Sequence, residues 1–153
     1  MPARMLALAA TVLAVVSFAP GAGAAAGKNA VRLDLPTTVK VGQTFIMHMQ
    51  VAFNPRDHDP AGNLYLEAGW WVKRGTDRCP ETRLPRKRDG WEEGLTLRYQ
   101  PGEEFPDAAQ SPSLERAGRH RFCAYVYVKR YSGRKVVSVS VKARDAELVR
   151  ATR

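Results

Sequence analysis

The sequence predicts an all-β fold, a two-sheet antiparallel sandwich of about seven strands. Apolar and polar residues alternate with period two through most of the chain after residue 30, and there is no apolar stripe with the period of a helix. Turn signals rich in Gly, Pro, Asn and Asp separate these segments at regular intervals. The long connection before Arg119 suits a crossover between sheets, which favours a sandwich over the alternative, a small barrel.

Residues 1–26 have the three parts of a secretory signal peptide. Arg4 supplies the positive charge, and Leu6 to Ala19 form the apolar segment. Cleavage is expected after Ala26, with a site after Ala24 as the alternative. An apolar run of about 14 residues is too short for a membrane anchor, which needs about 20. We therefore expect an exported protein, secreted or associated with the cell envelope, with no transmembrane segment once the signal is removed.

The first half of the expected mature chain contains three strands and a continuation. The predicted elements are a strand from Val31 to Leu35, its continuation at Val39 and Val41, a strand from Thr44 to Phe53, a loop over residues 54–63 and a strand from Leu64 to Lys73. Each strand is bounded by Pro, Gly or Asn, and each alternates apolar side chains with polar ones.

The second half begins with a Pro-containing loop. The predicted elements are a loop over residues 74–91, a short strand at Leu95 to Tyr99, a polar connection over residues 101–113 with a helical turn at Asp107 to Gln110, and a hairpin of Arg119 to Arg130 with Lys135 to Arg144. Residues 27–144 are thus assigned to the sandwich. Residues 145–153 are expected to form a charged, frayed C-terminal tail.

Cys79 and Cys123 are the only cysteines in the chain, and two cysteines in an exported protein most often form a disulfide bond. Closing a loop of about 45 residues stabilises a fold by roughly 4 kcal/mol if the bond acts on the entropy of the unfolded chain. A metal site is the competing interpretation, but the cysteines lack a C-x-x-C spacing and a close histidine pattern. The sequence therefore predicts the disulfide.

Three features resemble exported bacterial immunoglobulin-like or fibronectin-III-like domains. They are the stretch from Val39 to Thr44 that enters a strand, Trp70 on the following strand, and the element A-G-R-H-x-x-C-A-Y from Ala117 to Tyr125. The last is similar to the entry into strand F, except that His120 stands where a tyrosine usually makes the corner hydrogen bond, a role that an imidazole N–H could serve. The resemblance implies an immunoglobulin-like architecture over residues 31–143 and no particular function.

The alternation in the strand after Gly118 sorts its side chains onto two faces. If Phe122 faces the core, Cys123 and Tyr125 face outward, unlike the core cysteines of antibody domains. Cys79 then fastens the 74–91 loop across the outer face. The outer aromatics are either a satellite core under this loop or an exposed anchor for a protein or glycan. The candidate interaction surface consists of Tyr65, Trp71, Arg83, Arg86, Lys87, Arg88, Tyr125 and Tyr127.

The chain is basic, with 24 Lys and Arg, 15 Asp and Glu, and a net charge of +9, and its many Arg and Ala residues are compatible with a bacterial source. This charge favours anionic partners, although acids interleaved with the bases also fit a purely solubilising surface. The run from Arg83 to Arg88 lacks any nucleic-acid fold signature, so no specific nucleic acid is expected. An anionic cell-envelope polymer and an extracellular protein are the two candidate partners.

Two short motifs contain metal-ligand residue types. Met47-His48-Met49 offers ligands that suit copper, but in a strand both thioethers point away from the imidazole, which favours buried core methionines. Asp57-His58-Asp59 could hold calcium or a transition metal, but Ala61 and Ala68 occupy ligand positions of a calcium loop. A solvated loop is favoured there, and the sequence predicts no metal and no cofactor.

No G-x-S-x-G, H-E-x-x-H or P-loop pattern is present, and the carboxylates of Glu92-Glu93 and Glu103-Glu104 point apart in an extended chain. The sequence therefore predicts that the protein is not an enzyme. It predicts an exported module that mediates envelope or extracellular interactions through its basic loop and aromatic face. The alternatives are a small metal- or ligand-binding secreted sandwich that uses the Asp57–Asp59 loop, and a hydrolase with an unrecognised site.

Overall fold

The computed structural model describes residues 27–153, so the signal peptide expected at residues 1–26 lies outside the described residues. The strands of the described part are β1 (Ala30–Asp34), β2 (Thr38–Lys40), β3 (Met47–Ala52), β4 (Leu64–Arg74), β5 (Glu92–Arg98), β6 (Asp107–Gln110), β7 (Gly118–Ser132) and β8 (Lys135–Thr152). Short 3-10 helices occupy Pro55–Asp57 and Lys87–Asp89. None of the helices in residues 27–153 has the length and apolar character needed to cross a membrane.

The strands form two sheets. The small sheet has the order β1-β3-β6, and the large sheet has the order β2-β8-β7-β4-β5. Neighbouring strands are antiparallel except β2 and β8, which run parallel where Thr38–Lys40 lies beside Arg150–Thr152. The predicted immunoglobulin-like two-sheet sandwich with one disulfide is confirmed, with eight strands within residues 27–153 in place of about seven.

The core lies between the two sheets. Met47 and Met49 of β3 are fully buried, whereas His48 between them faces outward and contacts Asp107, so the methionines are core residues as the strand pattern predicts. Burial of each large apolar side chain contributes roughly 1.5–3 kcal/mol. The buried core residues are Leu33, Val39, Met47, Met49, Val51, Phe53, Leu66, Ala68, Trp70, Tyr99, Leu114, Phe122, Ala124, Val126, Val128, Val149 and Ala151.

The register of β4 and β7 confirms how the sequence assigned the two faces. Trp70 lies opposite Ala124, and both belong to the core. The next pair, Trp71 and Cys123, belongs to a separate buried cluster on the other face of the large sheet. The disulfide between Cys123 and Cys79 therefore lies on the outer face of the large sheet, because successive strand residues point to opposite sides of a sheet.

The C-terminal residues are part of the sandwich, and the prediction of a frayed tail at residues 145–153 is wrong. β8 continues to Thr152, pairing with β7 on one side and with β2 on the other. Val149 and Ala151 are buried in the core. Arg150 between them is exposed, as is Glu147, and the frequency of such charged residues hid the strand.

Two shorter segments also differ from their predictions. Asp107–Gln110 is strand β6, which pairs with β3 from Met47 to Gln50, and is not a helical turn. Pro106 and Pro112 flank this segment, and they restrict it to a short extended edge strand. β2 does not continue β1 in the small sheet, because it crosses to the large sheet and pairs with the end of β8.

His120 makes the corner contact that a tyrosine usually makes in such sandwiches. Its ring is buried, and Nε2 lies 2.8 Å from the carbonyl oxygen of Arg116, four residues upstream. A carbonyl oxygen only accepts, so Nε2 carries the proton and donates it. The imidazole therefore ties the start of β7 to the connection before it, as the sequence suggested.

Candidate interaction surface

The outer face of the large sheet carries a second hydrophobic cluster, which we call the outer cluster and which consists of Trp71, Cys79, Trp91, Cys123, Tyr125 and Tyr127. The Trp71 ring lies 5.5 Å from the ring of Tyr125 and 6.0 Å from that of Tyr127. Leu84 packs against the cluster from the β4–β5 loop, residues 75–91. The loop therefore covers the aromatic face, which is the satellite-core interpretation of the sequence.

Several polar contacts fasten the β4–β5 loop to the sheet beside the disulfide. The Tyr125 hydroxyl donates a hydrogen bond to the carbonyl oxygen of Pro80 at 2.9 Å. The Arg144 guanidinium donates to the carbonyl oxygen of Cys79 at 3.2 Å and to the carboxylate of Glu81 at 2.7 Å. One end of the loop thus has a fixed position relative to β7 and β8.

The basic residues of the loop lie on its solvent side. Arg83 and Arg86 share one acceptor oxygen of Asp89, at 2.9 Å and 3.1 Å. Hydrogen bonds from these two guanidinium groups hold the pKa of Asp89 below its usual value. Lys87 and Arg88 are exposed in the 3-10 turn, and neither forms an ion pair within the described part of the chain. The loop therefore presents more positive than negative charge to solvent.

A left-handed residue ends this turn. Gly90 adopts φ 83° and ψ 15°, a conformation that costs glycine little and other residues more. Its N–H donates to the carbonyl oxygen of Lys87. The chain then reverses so that the next residue, Trp91, enters the outer cluster while Lys87 and Arg88 stay outside.

The structure divides the predicted interaction surface into accessible and buried residues. Arg83, Arg86, Lys87 and Arg88 are exposed, and their role as a contact surface stays a prediction. Trp71, Tyr125 and Tyr127 are buried, so the alternative in which they form an exposed anchor is wrong. The reason is the loop itself, because its apolar residues complete the cluster that the aromatics begin.

Tyr65 is separated from the outer cluster although it shares its face of β4. Its ring packs edge-on against Tyr131 at 5.3 Å, and the Arg98 guanidinium lies 5.2 Å from its centroid. Between Tyr65 and Trp71 stands Glu67, which is only 2% exposed. Tyr65 therefore belongs to a second, half-buried aromatic contact near the β7–β8 hairpin.

Glu67 is a buried carboxylate that the sequence analysis missed. One of its oxygens accepts from the Arg98 guanidinium at 3.0 Å, and the other lies 2.8 Å from the Lys129 ammonium. Buried charges persist when paired in this way, because desolvation of an unpaired charge is costly. A glutamate in an otherwise apolar strand was the available signal. Its two partners lie on neighbouring strands far along the chain.

The Asp57-His58-Asp59 loop has structural roles for its side chains. Asp57 contacts Lys142 at 3.3 Å and also accepts a hydrogen bond from the side-chain amide of Asn29. His58 Nδ1 accepts from the backbone N–H of Leu66 at 3.3 Å. Within residues 27–153, no group of three or more His, Cys, Asp or Glu residues is arranged to hold a metal ion.

Alkaline pH is expected to destabilise the protein through the outer cluster. Burial raises the pKa of both Tyr125 and Tyr127 above the usual value of about 10. Since the unfolded chain ionises first, stability is fully present below about pH 10 and falls as the pH rises from there toward the higher folded-state pKa values. Urea unfolding midpoints measured from neutral to alkaline pH should show this decline.

The double variant Tyr125→Phe/Tyr127→Phe is the matched control for the alkaline decline. It removes both ionisable hydroxyls, so its unfolding midpoint should depend less on pH above about pH 10. Tyr99, whose pKa burial also raises, leaves a residual slope. At neutral pH the variant should lose about 1 kcal/mol, because Tyr125 no longer donates to Pro80. An unchanged alkaline decline would refute the role of these tyrosines.

Known proteins resemble this chain in structure only. No protein-family model matches it, and no curated protein is significantly similar. One similar solved structure is the CARDB domain of a Pyrococcus furiosus protein in complex with di-metal ions, with 12% identity, a TM-score of 0.47, and coverage of 81% of this chain and 92% of that chain. Another is superoxide reductase (neelaredoxin) from Ignicoccus hospitalis, with 12% identity, a TM-score of 0.43 and 80% of each chain covered. A variant of that enzyme has 13% identity, a TM-score of 0.45 and 83% of each chain covered.

These comparisons correct the prediction that the chain is not an enzyme. The solved structures that it resembles include superoxide reductase, which is an enzyme. The prediction was drawn from the absence of familiar catalytic motifs, and a β-sandwich can carry a catalytic site without them, since function depends on the site and not on the fold. The exclusion of an enzyme is therefore withdrawn, while likeness at this level assigns no activity to this chain.

Proposed function

We propose that this chain is an exported β-sandwich module that binds an anionic polymer of the cell envelope through its β4–β5 loop. The observation that carries the proposal is the loop itself, which is fastened to a rigid sheet and presents four exposed basic side chains. These are Arg83, Arg86, Lys87 and Arg88.

The charges of the loop support an anionic partner. Asp89 is the single acid between residues 83 and 89, and it accepts from two of the four basic groups. Lys87 and Arg88 remain available, and Arg in particular matches the geometry of phosphate and carboxylate oxygens. A polymer with repeated anionic groups would bind several of these cations at once and release its condensed counterions.

The fastening of the loop supports binding by a preformed surface. The disulfide and the Tyr125–Pro80 hydrogen bond fix the loop before a partner arrives, so less conformational entropy is lost on binding. A disulfide also suits an exported protein, because such bonds persist in oxidising compartments. The expected signal peptide at residues 1–26 agrees with that location.

The triple variant Arg86→Ala/Lys87→Ala/Arg88→Ala should bind an anionic polymer at least about tenfold more weakly than the unchanged protein, a difference of about 1.4 kcal/mol. The probe is soluble poly(glycerol phosphate), with poly-glutamate as a carboxylate counterpart, and the measurement is fluorescence anisotropy. Affinity for either polymer should fall as salt is raised, and the dependence on salt should be weaker for the triple variant.

A second triple variant separates the loop from net charge alone. Lys28→Ala/Arg32→Ala/Lys40→Ala removes the same charge from exposed residues on and near β1 and β2. This control should retain most of the affinity of the unchanged protein. An equal loss in both triple variants, or no loss in the loop variant, would show that the loop is not the binding surface.

A further inference from the structure

Within residues 27–153, one edge of strand β8 pairs with another strand only at its C-terminal end. β7 lies along one side of β8 over its full length, from Lys135 to Ala151. On the other side, β2 pairs only with Arg150–Thr152. Among residues 27–153, no strand pairs with that side of β8 between Lys135 and Val149. The backbone N–H and C=O groups that point to this side between Lys135 and Lys142 have no strand partner in the described chain, whereas β1 lies beside the edge further along, at Asp145.

Residues 136–141 of this edge carry no charge. Residues 136–141 read V-V-S-V-S-V, a sequence with high β-propensity. Val136 and Val137 are 46% and 56% exposed, which makes them two of the four large hydrophobic residues exposed in the described chain. A long, uncharged edge of this kind is a template for pairing with another strand.

The other free edges of the two sheets have features that prevent such pairing. β5 begins with two glutamates and contains an irregularity in its pairing with β4. β6 has four residues and lies between Pro106 and Pro112. Further along β8, the Asp145 carboxylate accepts from the backbone N–H of Leu33, so β1 covers the edge there. Within residues 27–153, the stretch 136–141 of β8 has no charged side chain, no proline and no covering strand, although its pairing with β7 is irregular at Val137 and again at Lys142 just beyond it.

We propose that residues 136–141 of β8 bind an extended peptide with acidic ends, which adds a strand to the large sheet. Backbone hydrogen bonds would supply the affinity, and alternate side chains of the peptide would pack beside the valines. This surface is separate from the β4–β5 loop, so the inference stands independently of polymer binding.

The charges at both ends of the segment select an acidic peptide. Arg134 and Lys135 are exposed at one end and form no ion pair within the described part of the chain. Lys142 stands at the other end, where its ammonium also lies 3.3 Å from the Asp57 carboxylate. A second copy of this chain would fit poorly, because antiparallel self-pairing about the segment centre places Lys135 opposite Lys142. Acidic residues of a peptide would instead meet the unpaired Arg134 and Lys135 at one end, and at the other end would share Lys142 with Asp57.

The probe is a labelled peptide of alternating valine and threonine with glutamates at both ends. We expect it to bind the purified protein saturably in fluorescence anisotropy, and to bind at least about tenfold more tightly than the same peptide with lysine ends. Amide hydrogen exchange of residues 136–141 should slow in the complex. Absence of binding, or protection confined to other residues, would overturn the proposal.

Two proline variants test the backbone of the edge. Successive residues of a strand direct their N–H groups to opposite sides. Ser138→Pro and Val139→Pro therefore remove N–H groups on different sides of β8. One variant loses an N–H that faces β7, and the other, the edge variant, loses an N–H that faces the free edge. The edge variant is the one that keeps the far-UV circular dichroism and unfolding midpoint of the unchanged protein, and it should lose peptide binding by at least about tenfold.

The remaining outcomes also decide the question. Unchanged peptide binding by the edge variant would overturn the proposal. Analytical ultracentrifugation of the unchanged protein should show a monomer. A dimer that the edge variant abolishes would assign the edge to a second copy, and would overturn the proposal as well. If both proline variants unfold, the hydrogen-exchange pattern of the unchanged protein decides alone.

Discussion

Replacing both cysteines with alanine is expected to lower the free energy of unfolding by about 4 kcal/mol. Cys79 and Cys123 are separated by 44 positions in the sequence, and the bond between them lowers the conformational entropy of the unfolded chain by closing this loop. The bond also anchors the β4–β5 loop, which contributes Trp91 to the outer cluster and covers the cluster with Leu84. Urea unfolding followed by tryptophan fluorescence measures the loss, because Trp71 and Trp91 lie in that cluster.

Limited trypsin digestion gives a second readout of the same change. Arg83 and Arg86 are exposed, but the loop that carries them is held against the sheet in the oxidised protein. The double cysteine variant should be cut in this loop faster than the oxidised protein, since local opening precedes cleavage. Arg144→Ala serves as a control, because it removes hydrogen bonds to Cys79 and Glu81 but leaves the crosslink. If the cysteine variant and the oxidised protein unfold at the same urea concentration, the crosslink does not stabilise the fold.

Gly94→Ala is expected to lower the free energy of unfolding by about 1–3 kcal/mol through overpacking. Gly94 lies on β5 where the indole of Trp70 crosses the strand, and an added methyl group would overlap that ring. Trp70 cannot move aside easily, because its ring is buried and packs 5.7 Å from that of Phe122. Either β5 or the indole must shift, and chemical denaturation measures the cost.

A double-mutant cycle assigns the effect of Gly94→Ala to this contact. Trp70→Leu removes the indole and makes space beside β5. Introducing Gly94→Ala into the Trp70→Leu protein should therefore cost much less than introducing it into the unchanged protein. Equal costs in the two backgrounds would show that the methyl group acts elsewhere, for example on the pairing of β4 and β5.

Local patterns were sufficient to predict most of the strands and the face of the disulfide. The alternation around Cys123 places Phe122 and Ala124 on one face and Tyr125 with the cysteine on the other. This assignment needs no knowledge of the partner strands, because side-chain direction in a strand has a fixed period of two. The same reasoning placed Met47 and Met49 in the core with His48 outside.

Pairing between distant segments was not predictable in the same way. The strand at residues 145–152 depends on β2, which lies near the start of the described chain, and on burial of Val149 and Ala151. Without knowledge of the strand that pairs with it, its charged, outward-facing residues look like those of a disordered C-terminal tail. Glu67 likewise finds Lys129 and Arg98 only because β7 and β5 lie beside β4.

The sequence by itself determined the all-β class, the alternation of faces and the single disulfide, because each follows from local periodicity or from the presence of only two cysteines. The tertiary structure alone decided whether the outer aromatics are exposed. A loop without periodicity covers Trp71, Tyr125 and Tyr127, and its path follows from the apolar contacts of Leu84 and Trp91. The tertiary structure also decided which edges stay unpaired, since strand order depends on distant contacts that no local pattern encodes.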